Sequence, residues 1–497
     1  LDGWENWSFL NEIVSGRFLK LAGFFLSNPQ TSHSCNSTVQ AHCFDLTFKD
    51  QTKPILPAMK KYFLFLLFAS FFVHFSGETA LAYSNEIQMN ASAVPGEYRW
   101  VVEGFDWGPA INKVILSLDE SVKETNAANY QVYATRSLEG AEIPAESASG
   151  KRDVVYAYVS DENGNRLSEG RHITLVLAVS PVMPIGSAFQ YTRINNRGSN
   201  YWVDYKMTIV QTKTGQVWNK PTGKIMPLVD QFDLTKTFQY ENGLNLSYAS
   251  FSPKNPTAKA PLLIWLHGGG EGGNDPTIAL LGNKAANYAS PEIQVLLGGA
   301  YVLVPQAPTF WMQAAEGMTR GKDNDIYNAA VFALIQDYVS KNPNIDPKRI
   351  YIGGCSNGGY MSLKLILEHP DYFAAAYISA LAYSNEFISD AQIQKIKNVP
   401  MWFVHAKDDG TTKPDETVVP LYKRLKQAGS KNVILSYYDN VTDITGFYGG
   451  ENYRYNGHWS WIYSHANTAR TDFDGSPVML NGRPITIMEW LAAQKKK

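Results

Sequence analysis

Residues 350–358 read Ile-Tyr-Ile-Gly-Gly-Cys-Ser-Asn-Gly. This stretch constrains the chain more than any other. A short apolar run, Arg349 to Ile352, has the character of a strand. It leads into Gly354-Cys355-Ser356-Asn357-Gly358, and a helical pattern follows from Gly359 to His369. A serine hydroxyl is a poor nucleophile until a strained turn lifts it clear of the sheet and presents it to a base. Glycines on either side leave room for that turn. Strand, G-x-S-x-G and helix together therefore predict Ser356 as a nucleophile. Without them the motif would be an ordinary glycine-rich loop with a capping serine.

A serine of this kind needs an acid and then a histidine further along the chain. Pro400 to His405 is a second apolar run, and it ends in Ala406-Lys407-Asp408-Asp409-Gly410. A carboxylate just beyond a strand end can accept a hydrogen bond from imidazole Nδ1 and fix its tautomer. Asp408 and Asp409 both qualify. Only His458 and His465 follow them. His458 sits at a Gly-His-Trp-Ser-Trp turn after a loop, Asp439 to Gly457, that follows the last expected strand, Asn432 to Tyr438. It is the expected base. His465 falls in an expected helix, Trp459 to Asn467, and reads as a helix-surface residue.

Upstream, Pro261 to Trp265 ends in Leu266-His267-Gly268-Gly269-Gly270-Glu271-Gly272-Gly273. Glycine backbone here can aim N–H groups at a developing oxyanion. The candidate donors are those of Gly269 and Gly270, with that of Asn357 after the nucleophile. No Lys-Ser or Lys-Thr follows the glycines, which argues against a phosphate loop. His267 is expected to tie the loop down. Trp311, Met312, Tyr360, Trp459 and Trp461 are candidate pocket residues, each equally open to a reading as ordinary packing.

The order of these parts, with His267-Gly268-Gly269-Gly270-Glu271-Gly272-Gly273, Pro308-Thr309-Phe310-Trp311-Met312, Gly354-Cys355-Ser356-Asn357-Gly358 and Asn456-Gly457-His458-Trp459-Ser460-Trp461, resembles secreted bacterial carboxylesterases over about Phe238 to Trp490. These are relatives of polyhydroxybutyrate depolymerases and prolyl-oligopeptidase-type serine hydrolases. His-Ala-x-x-Asp at 405–409 resembles the acid turn of dienelactone-hydrolase and prolyl-oligopeptidase relatives, and this places the acid at Asp409, with Asp408 as the fallback. Thr412 and Lys413 stand where those families often have Val-Pro. The subset most resembled carries an immunoglobulin-like domain before the hydrolase.

The rest of the chain agrees. Alternating runs at Glu97 to Val102, Lys113 to Leu118, Tyr130 to Ala134, Asp153 to Val159, His172 to Val179, Ala188 to Arg193 and Tyr201 to Gln211 predict a β-sandwich over 83–230. From 231 to 497 strands alternate with helices. Thr235 to Tyr240 and Leu244 to Ser250 flank Asn242-Gly243 as a hairpin. Further strands are expected at Ala300 to Pro305 and Ala374 to Ser379. A helix is expected over Asp325 to Ser340, capped by Asp323 or Asn324. The expected fold is an α/β-hydrolase, an eight-stranded mostly parallel sheet flanked by helices, preceded by an all-β immunoglobulin-like sandwich. The linker is placed near Pro221 to Asp230.

Met59-Lys60-Lys61, an apolar run Tyr62 to Val73 and Ala80-Leu81-Ala82 have the form of a secretory signal peptide over 59–82, too short to span a bilayer. Residues 1–58 read as an upstream extension. Cleavage near Ala82 would leave one cysteine, Cys355, hence no internal disulfide in an exported protein. Cys355 reads as a small buried side chain of the turn and not as a nucleophile. The net charge of −2 carries no basic patch, which argues against a nucleic-acid partner. The hexapeptide Leu-Ala-Tyr-Ser-Asn-Glu occurs at 81–86 and again at 381–386, and no repeat architecture follows from it.

These readings predict acyl transfer on a carboxylic ester, small or polymer-linked, without cofactor, metal or stable membrane anchor, and leave the oligomeric state open. The alternatives are a prolyl-oligopeptidase-type peptidase, and a non-catalytic binding protein whose intact Ser, Asp and His would then be unexplained.

Overall fold

The computed structural model describes residues 95–194, 197–254 and 259–496. The expected signal segment 59–82, the stretch 1–58 with Cys35 and Cys43, and the first hexapeptide copy lie outside the described residues.

The first sheet is built from β1 (Gly96–Phe105), β2 (Gly108–Val122), β3 (Tyr130–Ser137), β4 (Ser149–Arg152), β5 (Val154–Ser160), β6 (Gly170–Leu177), β9 (Asp204–Gln211) and β10 (Val217–Ile225). Their order is β4-β3-β9-β10-β1-β2-β6-β5. Alternating side chains such as Tyr130, Val132 and Ala134 on β3 point to one interior, as the period of two requires. A separate hairpin, β7 (Phe189–Ile194) and β8 (Arg197–Trp202), projects from this domain. One helical turn, α1 (Ala145–Ala148), lies between β3 and β4.

Two sequence expectations change here. The run Tyr201 to Gln211 is not one strand: β8 ends at Trp202, and β9 starts at Asp204 with its partner β3. The expected linker is no linker at its start. Pro221 to Ile225 belong to β10 and run parallel to β1, with Pro221 opposite Tyr98. β9 pairs with β10 only at Val217 and Trp218, so the proline sits where the other edge is free and no ladder N–H is missed.

The second sheet has the order β11-β12-β14-β13-β15-β16-β17-β18. β11 (Asp233–Gln239) and β12 (Asn245–Phe251) form the antiparallel edge. β13 (Ala260–Leu266), β14 (Tyr301–Gln306), β15 (Ile345–Cys355), β16 (Ala375–Ser379), β17 (Met401–Ala406) and β18 (Val433–Tyr438) are parallel. All eight expected strands form. The parallel strands are buried on both faces, which is why they read as continuous apolar runs.

Along β13, Leu262, Ile264 and Leu266 pack to one side, with α4 (Asn328–Lys341), α5 (Asn357–Glu368), α6 (Asp390–Ile396) and α7 (Val418–Gln427). Leu263 and Trp265 pack to the other, with α2 (Pro276–Leu281), α3 (Pro291–Leu297), α8 (Trp461–His465) and α9 (Ile487–Ala492). Among the described residues no helix is long and apolar enough to cross a membrane.

α4 starts at Asn328, three residues later than expected, and neither Asp323 nor Asn324 caps it. Asp325 does: its Oδ1 accepts the N–H groups of Tyr327 and Asn328 at 2.9 and 2.7 Å.

Both sheets belong to one compact unit. The second apolar cluster includes Tyr98, Val102 and Met226 from the sandwich side together with Phe232, Ile278, Leu281 and Trp265 of the hydrolase. One core therefore runs through the junction. Polar contacts cross it as well. Lys284 pairs with buried Asp106 at 2.9 Å, and Tyr448 donates to the Val179 carbonyl at 3.3 Å with its ring edge-on to Trp107.

Candidate active site

The turn after β15 has the predicted shape. Ser356 adopts φ 53°, ψ −112°, a left-handed backbone rare for a residue with a side chain. Its N–H is held by the Ser379 carbonyl at the end of β16, 3.1 Å away. From Ile350 to Leu363, Ser356 alone is partly exposed. The flanking glycines are steric necessities: a Cβ at Gly358 would lie 1.8 Å from the Leu266 carbonyl oxygen, and one at Gly354 would lie 2.5 Å from Gly358.

Asp409 follows β17 and is 2 % exposed. Its Oδ2 lies 2.9 Å from His458 Nδ1. Oδ1 accepts the N–H groups of Thr411 and Thr412 at 2.8 and 2.9 Å, and the Thr412 hydroxyl donates to Oδ2 at 2.7 Å. His405 Nε2 reaches the same Oδ2 at 3.0 Å. Burial alone would raise this carboxyl. The hydrogen bonds from His405 and His458, with their charge, outweigh it and hold Asp409 far below the usual carboxylate range. Asp408 is exposed and turned toward Gly457, so the structure brings Asp409, not the fallback, to the histidine.

His458 is placed by a short turn, 457–459, whose first N–H groups are capped by Asn456: its Oδ1 accepts from His458 N at 2.9 Å. Ser460 Oγ anchors the turn to the Val404 carbonyl at 3.1 Å. With Nδ1–H donated to Asp409, Nε2 is left as the basic nitrogen. His465 is not on a helix surface, as its sequence position suggested. It is buried between Trp265 and Tyr288, at ring distances of 4.6 and 5.0 Å, and burial lowers its pKa to about 3.

The glycine loop after β13 forms one turn, 269–271. His267 ties it down as expected. Its Nδ1–H donates to the Gly268 carbonyl at 2.6 Å, and Nε2 accepts from Ala307 N–H at 3.0 Å. Burial lowers its pKa to about 4, against the Gly268 bond, so the ring is neutral. Asn357 links the loop to the elbow: its Oδ1 accepts from Met312 N–H at 2.9 Å, and its Nδ2 faces Gly269.

The pocket expectations need correction. Trp311 is wholly buried and packs on His267 and Tyr327. Met312 is buried and serves through its backbone. Tyr360 is buried against Tyr383 and donates to Asp325. Trp461 is buried edge-on to His458 at 5.5 Å. Only Trp459 of the set is partly exposed. Cys355 is fully buried with its thiol on Asn283 Oδ1 at 3.3 Å, and burial beside Glu271 pushes it well above its ordinary pKa. It is no nucleophile.

Sequence reasoning missed His405, Thr412 and Glu271. Thr412 was visible as a departure from Val-Pro, and its hydroxyl bond to the acid is what that departure supplies. Among the described residues no three histidine, cysteine or acidic side chains converge as metal ligands.

Residues 97–220 match the family described as the esterase Ig-like N-terminal domain, and residues 311–391 match the prolyl oligopeptidase family. Among solved structures, a thermostable esterase has a TM-score of 0.64 at 23% identity, covering 80% of this chain and 99% of its own. An acylaminoacyl peptidase in complex with Z-Gly-Gly-Phe-chloromethyl ketone gives 0.34 at 15%, covering 76% and 56%. A ferulic acid esterase gives 0.32 at 17%, covering 46% and 92%. No curated protein matches by sequence. Fold and family matches together define a serine hydrolase of the α/β-hydrolase fold. Ahead of this catalytic domain lies the immunoglobulin-like domain, over the residues that match the esterase Ig-like N-terminal family.

Proposed function

We propose that this protein hydrolyses short-chain carboxylic esters through an acyl-enzyme on Ser356. The observation that carries the reading is the Asp409–His458 bond, together with a strained, accessible serine at the elbow. His458 Nε2 takes the Ser356 proton as Oγ attacks the ester carbonyl. Asp409 orients the ring and stabilises the imidazolium. The N–H groups of Asn357, Gly269 and Gly270 hold the oxyanion, each worth roughly 3–4 kcal/mol of barrier. His458 then protonates the leaving alcohol, and water repeats the sequence on the acyl-enzyme.

A peptidase reading is favoured by one observation, the prolyl oligopeptidase match over 311–391. Turnover of p-nitrophenyl esters of two to eight carbons against aminoacyl-p-nitroanilides separates the two. Preferential cleavage of the anilides would reverse the proposal. We also propose export, on the sequence of residues 59–82. An N-terminus at Tyr83 in the exported protein is the expected result.

A further inference from the structure

We propose that the immunoglobulin-like domain is a working part of the oxyanion site: Asn200 on β8 clamps Glu271, and this pair positions Gly269 and Gly270 for the reaction. The inference rests on the reading of those glycines as oxyanion donors.

Glu271 closes the same turn as the two glycines, yet the residue is only 5 % exposed. It folds back beneath the loop. Its Oε2 would be 2.8 Å from a Cβ on Gly268, and its Cγ 2.6 Å from one on Gly282. A buried carboxyl is costly unless its oxygens are bonded. Part of that shell is local, from Asn283 and Gly268. The remainder comes from the other domain: Asn200 Nδ2 donates to Glu271 Oε1 at 2.7 Å.

The same hairpin fixes the surroundings. Arg197 Nη1 donates to the Pro308 carbonyl at 2.9 Å, on the segment whose Ala307 carbonyl accepts from Gly273 N–H at 2.8 Å. Trp202 Nε1 donates to Thr277 Oγ1 at 3.0 Å, on α2 behind the loop. Tyr191 and Asn200 both press on Gly270, 3.2 and 3.3 Å from where its Cβ would be. The backbone that would meet the oxyanion is thus held from outside the catalytic domain. Asn200 is a positioning residue, since it acts through Glu271.

The test compares full-length wild type with Asn200→Leu, Asn200→Ser, Asn200→Asp and Asn200→Asp/Glu271→Gln, and uses Ser356→Ala as control. The readouts are kcat and KM on p-nitrophenyl acetate and the Ki of an alkyl trifluoromethyl ketone, which forms the oxyanion without turnover. A displaced oxyanion loop should lower kcat and weaken the ketone by about tenfold each, with KM within twofold. Asn200→Asp sets two carboxyls face to face and should be the worst single variant. The double variant reverses donor and acceptor and should recover most of the loss. Folded Asn200 variants with kcat and Ki within twofold of wild type would overturn the inference, as would loss of thermal stability alone. If Ser356→Ala keeps full activity, the functional reading itself fails, a result distinct from either.

Discussion

His405 Nε2 lies 3.0 Å from Asp409 Oδ2, the oxygen that His458 Nδ1 reaches at 2.9 Å. One carboxylate oxygen thus serves a buried imidazole on β17 and a partly buried one on the 457–459 turn. His405 also donates toward the Thr412 carbonyl at 2.9 Å, so it fixes the acid turn at both ends. Removing it as His405→Phe should raise Asp409 toward its ordinary value, because one of the bonds holding it low is gone. Acid loss of activity should then begin at a higher pH, and kcat should fall roughly tenfold, the worth of one charge-assisted hydrogen bond. A kcat/KM profile against pH that superposes on wild type would remove His405 from the account.

Asp409→Asn should lower kcat by about 10⁴, since the amide cannot hold the productive tautomer of His458. Asp408→Asn should be mild, for Asp408 is exposed and no bond joins it to His458. The reverse ranking in steady-state assays would reassign the acid.

Ser356→Ala should remove on the order of 10⁶ in kcat and leave the fold intact, because the serine is held by its backbone and not by side-chain packing. A fluorophosphonate probe should label Ser356. Peptide mass spectrometry that puts the adduct on Cys355 would contradict the burial of that thiol.

Glu271 gives a pH dependence of opposite sense to the triad acid. Burial raises it from 4.5 to about 7, against the bonds from Asn200, Gly268 and Asn283. Between those values the folded chain binds a proton that the unfolded chain releases. Its contribution is therefore greatest below about pH 4.5 and is lost as pH rises through 7, a change on the order of 3 kcal/mol. Stability should fall from pH 5 to 8, and Glu271→Gln should flatten that slope whatever it does to the absolute value. Denaturant midpoints at four pH values would measure it, and equal slopes in the two proteins would refute it.

What the sequence disclosed follows a physical division. The elbow, the acid turn and the eight strands of the second sheet are written locally: glycines where backbone passes within contact distance, carboxylate after a strand, apolar runs for strands buried on both faces. β10 was hidden because Pro221 signals a linker unless one knows that its far edge is unpaired. Trp311 stayed open between pocket and packing, and His465 was misread as a surface residue, because burial of an aromatic ring or a lone histidine depends on neighbours from distant segments. Asn200 and Glu271 are 71 residues apart and in different domains. No local pattern joins them.

That cross-domain dependence has its own consequence. The apolar cluster that includes Tyr98, Val102 and Met226 continues into Phe232, Ile278, Leu281 and Trp265 without a polar boundary. A chain beginning at Gln231 would expose the hydrolase side of that cluster, leave Lys284 without Asp106, and remove the hairpin from Gly270. Exposed apolar area of this kind drives association. The shortened chain should be poorly soluble, and any soluble fraction should be much less active on small esters. A tethered binding domain predicts the opposite: full activity on p-nitrophenyl acetate, with loss confined to an insoluble polyester. Retention of wild-type kcat by the shortened chain would show that the sandwich serves targeting and not the architecture of the active site.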